Sequence, residues 1–281
     1  MTNVYYVDGK FVPAAEAAFP INDLGLLRGY GVFDFMRTYN GKVIFILDHI
    51  ERLARSAREI GLELPWPKAE IIRLVGETLQ RNDPVESSIR ILVTGGSSPD
   101  FITPQGKPRL AIMVAPLSRY PAAWYSEGAK VITVRHNRPI PGAKSIDYIR
   151  AILVLAEARE QAAIEAVYVD SQGWVREGTT SNIFAFCGGI LVTPGEGILS
   201  GITRQKVLGL AEGKYTVQIR DLQRGELVAA DEVFITSSNR LIVPIVQVDE
   251  DGIGTGKPGE RTRALMQTLA EYTARLSATR A

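Results

Sequence analysis

Three turn signals constrain this chain more than its composition does. Asp8-Gly9 stands between Val4–Val7 and Lys10–Val12, and Asn40-Gly41 stands between Tyr30–Tyr39 and Val43–Leu47. Ser171-Gln172-Gly173 interrupts a third apolar stretch. Asp-Gly and Asn-Gly favour the backbone that two-residue loops need, so an antiparallel hairpin is predicted at each turn. Segments of helical spacing interrupt these strands. In Asp48–Ile60, Ile50, Leu53 and Ala57 share a face and Gly61 follows as a C-terminal cap. Further helices are predicted over Trp66–Asn82, closed by Asn82-Asp83-Pro84, and over Ile146–Gln161, Thr203–Ala211 and Arg261–Leu276. Strands are predicted over Ser88–Thr94, Arg109–Ala115, Lys130–Arg135, Tyr215–Ile219 and Glu232–Thr236, and from the third hairpin to about Val192. Helices and strands mix in both halves without strict β-α-β alternation, which favours an α+β protein over a doubly wound sheet.

The 281 residues, 46% of them hydrophobic, are enough for one large or two medium domains. Ser118-Arg119-Tyr120-Pro121 is the best linker, predicting domains over 1–117 and 122–281. A net charge of +1 gives no electrostatic footprint for nucleic acid or an anionic membrane. The single cysteine, Cys187, excludes an internal disulfide and fits a reducing compartment. His49 and His136 are the only histidines and no zinc-type spacing occurs, so no metal is expected. The start, from Met1-Thr2-Asn3, lacks the pattern of a signal peptide, and no run is apolar enough to span a bilayer. A cytoplasmic protein is expected.

Five elements could carry chemistry. Lys144 follows a Pro/Gly turn between a strand and a helix, where a lysine can serve as a nucleophile or lie solvated in a loop. Glu177 precedes small polar residues at a strand end, where it can bind a protonated ring nitrogen or close a turn. Gly201-Ile202-Thr203-Arg204 opens a helix, whose first N–H groups suit an anion or are merely capped. Thr236-Ser237-Ser238-Asn239, after a strand, could complete a phosphate cup. Arg52 could pair with the same anion or be a solvated helix residue.

Taken with their order and context, these residues resemble the class IV aminotransferases, the fold-type IV pyridoxal-phosphate enzymes. That family includes D-amino-acid and branched-chain aminotransferases and aminodeoxychorismate lyase. The most specific stretch is Arg176-Glu177-Gly178-Thr179-Thr180-Ser181-Asn182-Ile183-Phe184, followed by Leu199-Ser200-Gly201-Ile202-Thr203-Arg204. The resemblance runs from Tyr6-Val7-Asp8-Gly9 to the last helix. It implies an α+β fold of two domains, a small α/β domain and a larger cofactor-binding domain with a mixed, β-barrel-like core. It implies pyridoxal phosphate carried on Lys144, which also moves the proton. Glu177 would face the ring nitrogen and Tyr148 the phenolic oxygen, and Arg52, Ile202, Thr203, Ser237 and Ser238 would cradle the phosphate. Asp147 departs from the frequent asparagine and gains no role. A homodimer is implied, because a small-domain loop in this family reaches the partner's active site.

Substrate choice turns on the α-carboxylate. Branched-chain members usually carry Phe-x-Gly-x-Arg. Here the run is Phe33-Asp34-Phe35-Met36-Arg37, and Ser88 replaces the usual tyrosine before Ile89-Arg90. The arginine and histidine that well-known D-amino-acid enzymes carry in the long loop, here Gly95–Lys107, correspond to Asp100 and Ile102. Leu27-Arg28-Gly29-Tyr30-Gly31 and the run from Ile89 to Gly96 look like a D-amino-acid subgroup that grips the carboxylate with arginines. An arginine of that subgroup is replaced by Thr180. The expected contacts are Arg28 and Arg90, with Arg37 as a third. Arg90 could instead form a structural ion pair within its sheet. The alternatives are an L-branched-chain aminotransferase and the lyase.

Overall fold

A computed structural model describes residues 3–82 and 86–278. The Met1-Thr2 start and the Asp83-Pro84 stop signal lie outside these residues. The chain divides into two compact units. One takes in the chain up to Ser118, then Gly142–Asp147 and the residues from Leu276. The other holds Arg119–Pro141 and Tyr148–Arg275.

The first unit is built on an antiparallel five-stranded sheet. Its strands lie in the order Lys10–Pro13, Val4–Val7, Arg109–Pro116, Ser87–Thr94, Gly31–Arg37. The first hairpin turns at Asp8 (φ 45°) and Gly9 (φ 90°), which places Val7 opposite Lys10. The helices Ile46–Glu59 and Lys68–Gln80 cover one face, burying Ile50, Leu53, Ile71 and Val75 against Val32, Met36, Ile89 and Ile91. The second hairpin is shorter than predicted. Tyr39 and Lys42 bridge around Asn40-Gly41, but Val43–Leu47 is no strand, because the helix begins at Ile46 and draws its apolar face into the core.

The second unit holds a mixed sheet of ten strands. Nine follow the order Val217–Ile219, Ile190–Thr193, Asn182–Cys187, Glu232–Ser237, Leu241–Val248, Ala129–Arg135, Glu165–Val169, Trp174–Gly178, Leu222–Gln223, and Asp251–Gly252 pairs with Leu241–Val248. Ala129–Arg135 runs parallel to both its neighbours. The hairpin at Ser171-Gln172-Gly173 joins Glu165–Val169 to Trp174–Gly178. The strand Leu241–Val248 lies outside the predicted elements. Pro244 sits just before the stretch that pairs with Ala129–Val131. The helices Ile149–Glu160, Ile202–Ala211 and Glu260–Ala278 complete the main elements of this part of the chain. No described helix is long and apolar enough to cross a membrane.

Candidate active site

The predicted helix over Ile146–Gln161 starts only at Ile149, and the reason positions Lys144. Gly31–Arg37 is the outer strand of its sheet, with one row of backbone groups left over. The segment around Lys144 takes them. The Phe33 N–H donates to the Lys144 carbonyl (2.9 Å), Ile146 N–H donates to Gly31 O (3.1 Å), and Ser145 bridges Val32. The Lys144 N–H donates to Ser56 Oγ at 3.0 Å. Lys144 is thus fixed by strand-like bonds on both sides, which sequence spacing alone could not reveal.

Side chains alternate along a strand. Val32, Asp34 and Met36 face the helices, which leaves Phe33, Phe35 and Arg37 on the opposite face. The register sets Phe35 opposite Arg90 and Arg37 opposite Ser88. Two cations meet on one ring there. Lys144 Nζ lies 4.6 Å from the Phe33 centroid and the Arg90 guanidinium 4.9 Å from it, with Phe35 5.8 Å from the guanidinium. Arg90 has no ion pair or hydrogen bond among the described residues, so the alternative of a structural ion pair falls away. Arg37 stacks on Tyr39 (4.8 Å) and donates to Thr38 O. Arg28 sits elsewhere, exposed on the last turn of the helix Leu24–Arg28, donating to Leu27 O. In the long loop, Asp100 accepts from both Thr103 groups, the Ser98 hydroxyl and the Ile102 N–H, which hold its carboxyl well below the usual range. It organises its own turn rather than offering a substrate contact.

On the helix-covered face Arg52 is buried, and Asp34 grips it by two bonds of 2.8 Å, to Nε and Nη2. His49 Nδ1 contacts the same carboxylate at 2.7 Å. Nη1 is the nitrogen left over. Burial would raise the Asp34 carboxyl, but Arg52 and His49 outweigh it and hold it well below its ordinary range. Asp34 and His49 were not anticipated. The signal was present, since period two puts Asp34 between Val32 and Met36 on the apolar face.

The second unit holds the other expected groups. Glu177, nearly buried, accepts from Arg138 Nη1 at 2.7 Å and from the Leu199 N–H at 2.9 Å. A carboxylate accepts at about four lone-pair sites, so an acid held in this way can also bind a protonated ring nitrogen. Tyr148 is half-buried and immediately precedes the helix Ile149–Glu160. Asp147 is exposed.

Ile202 and Thr203 are buried in the first turn of the helix Ile202–Ala211, which has no side-chain cap. Asn182 links this turn to the strand end at Thr236. It is the register partner of Thr236, and its Nδ2 donates to Leu199 O at 2.8 Å. A Cβ on Gly201 would fall 2.1 Å from its Oδ1, so only glycine allows this approach. Thr236 Oγ1 is buried without a hydrogen-bond partner, Ser237 ends the strand and Ser238 opens the turn after it. The Ser237 hydroxyl donates to Asn239 Oδ1 at 2.8 Å, and the uncapped amides and the orphaned Thr236 hydroxyl are donors that suit a phosphate monoester. Behind them is a network the sequence did not disclose. Buried Glu165 accepts from Arg240 Nη2 (2.5 Å), from Thr180 Oγ1 (2.8 Å) and from the Thr179 and Ser181 hydroxyls. Arg240 also reaches Ser237 Oγ at 3.4 Å. Burial opposes the Glu165 charge, yet Arg240 and the hydroxyls keep its carboxyl below the usual range.

A family model described as amino-transferase class IV matches residues 31–248. A putative branched-chain-amino-acid aminotransferase of Methanocaldococcus jannaschii is 37% identical, the match covering 95% of each chain. A D-alanine aminotransferase of Staphylococcus epidermidis is 32% identical over 97% of this chain and 98% of its own. Among solved structures, the Escherichia coli branched-chain amino acid aminotransferase superposes with a TM-score of 0.92 at 25% identity, covering 100% of this chain and 97% of that one. The T.th. branched-chain amino acid aminotransferase with pyridoxamine 5'-phosphate gives 0.91 at 26% identity, covering 98% and 95%.

Proposed function

The chain belongs to the class IV aminotransferase family, and from that premise we propose that it moves an amino group between an amino acid, the D series favoured, and a 2-keto acid such as 2-oxoglutarate. It is a pyridoxal-phosphate-dependent transaminase of fold type IV. Lys144 is the residue that carries the cofactor. Arg52, the amides of Ile202 and Thr203 and the residues Ser237 and Ser238 would hold the phosphate, Glu177 would face the ring nitrogen, and Tyr148 would face the phenolic oxygen. When bound, the cofactor supplies the electron sink that makes removal of an α-proton feasible. Lys144 Nζ takes that proton and returns it, and the Glu177 carboxylate keeps the ring nitrogen charged. Donor and acceptor react in turn, by a ping-pong scheme.

One observation carries the substrate reading: a guanidinium without an acid partner on the same aromatic ring as the Lys144 amine. Arg90 can grip an α-carboxylate with two parallel bonds, helped by Arg37 and, from the rim, Arg28. Phe35 in place of glycine and Ser88 in place of tyrosine argue against a standard branched-chain pocket. An L-branched-chain preference is favoured instead by the names of the 37%-identical relative and of the solved structures. Half-reaction spectra with D-alanine, D-glutamate and L-leucine separate the two, and cofactor conversion by L-leucine alone would defeat the D preference.

We read the two units as a small domain and a larger cofactor-binding domain joined at 118–121, in a cytoplasmic homodimer. Exposed apolar side chains support the dimer: Phe101 and Ile102 in the long loop, and Ile149, Ile152 and Leu153 along one helix face. Sedimentation at micromolar concentration tests it, and a monomer would refute it.

A further inference from the structure

We propose that Arg138 is a positioning residue that ties the Glu177 carboxylate to the turn leading into Lys144. The inference rests on the reading that Glu177 faces the cofactor's ring nitrogen. The link runs through Nη1. Arg138 Nη1 donates to Glu177 Oε1 at 2.7 Å and to the Pro141 carbonyl at 3.1 Å. Pro141 lies three residues before Lys144. The other carboxylate oxygen takes the Leu199 N–H at 2.9 Å, so each end of the acid is held by a different loop.

The guanidinium also meets open space. A cavity of about 250 Å³ lies beside it, lined by His136, Arg138, Tyr168, Asp170 and Arg176 among others. Glu177 itself is nearly buried. Removing the side chain would join the carboxylate to that cavity, hydrate it and free it to turn. Arg204 does not duplicate the role. It lies close enough to feel the Glu177 charge, but its bonds go to Pro194 O (2.8 Å) and Thr193 Oγ1 (3.4 Å). Tyr168 is another titratable neighbour, and burial pushes its phenol up to about 12, out of the working range. Arg138 therefore holds Glu177 directly, by a charged bond at 2.7 Å.

The test uses the holoenzyme with Arg138→Met, Arg138→Lys and Glu177→Gln. The absorbance band of bound cofactor is titrated with pH, and kcat and KM for the amino donor are measured beside the thermal midpoint. Arg138→Met is expected to move the band's titration midpoint by about one pH unit and to lower kcat about tenfold or more, with KM within about threefold. Arg138→Lys, which keeps the charge but has one point donor in place of a fork, should recover part of both effects. Wild-type band titration and kcat in Arg138→Met would overturn the proposal, as would a lowered thermal midpoint with an unchanged band. If Arg138→Met does not fold, the Arg138→Lys band decides, and a wild-type titration there sinks the idea. A Glu177→Gln protein with an unmoved band removes the underlying reading. A shifted Glu177→Gln band beside an unshifted Arg138→Met band removes only the inference about Arg138.

Discussion

On the helix-covered face of the five-stranded sheet, Asp34 holds Arg52 through two bonds and contacts His49 as well. On the opposite face of the same strand, one residue to either side, Phe33 and Phe35 hold Arg90 with ring faces alone. Surroundings account for the contrast. A guanidinium taken out of water must find an acid, because leaving it uncompensated costs several kcal/mol, on the order of 3–5 when a buried pair is broken. A guanidinium that keeps its water can wait for an anion to arrive. Aromatic rings suit such waiting, since a cation–π contact orients the charge for about 0.5–1 kcal/mol without neutralising it. The inner face therefore serves the fold. The outer face leaves the Arg90 charge for a ligand to neutralise, on the ring that the Lys144 amine also meets.

The sharpest way to break this division is at Lys144. Lys144→Ala should abolish the borohydride-bleachable absorbance and lower turnover about a thousandfold or more, with circular dichroism unchanged. Normal transamination by this variant would remove the function altogether. Asp34→Asn probes the inner face. It should cost about 3–5 kcal/mol of stability, measured by urea unfolding of the apoprotein, because it leaves Arg52 buried without its counter-charge. A loss near zero would mean that Arg52 is not held by this carboxylate.

Arg90→Met should show the reverse profile. With no acid partner to orphan, the thermal midpoint should stay within about a degree or two. The donor KM should rise about 10–100-fold, the range expected for losing a charged hydrogen-bonding group at a carboxylate. An unchanged KM would move the carboxylate grip to Arg28 or Arg37.

The candidate groups are more legible in the sequence than the contacts that support them. Lys144, Glu177 and the Gly201-Ile202-Thr203 turn are each ambiguous alone and stand out as candidates through their order and their resemblance to the family's motifs. The supports are long-range. Nothing local joins Arg138 to Glu177, Arg240 to Glu165, or Ser145 to Val32, pairs separated by 39, 75 and more than 100 positions. The early end of the second hairpin and the late start of the helix at Ile149 have one physical form. In each case a segment with adequate local propensity was claimed by a distant partner, a core in the first and a strand edge in the second.

The smallest effect distinguishes the faces by pH. His49 is buried, and desolvation, the largest influence, lowers its pKa from 6.5, with Asp34 pulling the other way. In the unfolded chain the imidazole takes a proton as pH falls through about 6.5, while the folded protein resists it. The unfolded state then binds more protons, so stability falls with pH in that range. Asp34 acts lower down. Its depressed carboxyl contributes stability that is complete above the ordinary aspartate value of 3.8 and lost only as pH drops through its folded range. From neutral pH to about 5, the inner face should therefore show a slope that belongs to His49. The thermal midpoint of the apoprotein should decline over this interval in wild type and in Arg90→Met alike, and the decline should flatten in His49→Gln. A His49→Gln midpoint that falls in step with wild type would show that the buried imidazole is not what makes the helix-covered face sensitive to mild acid.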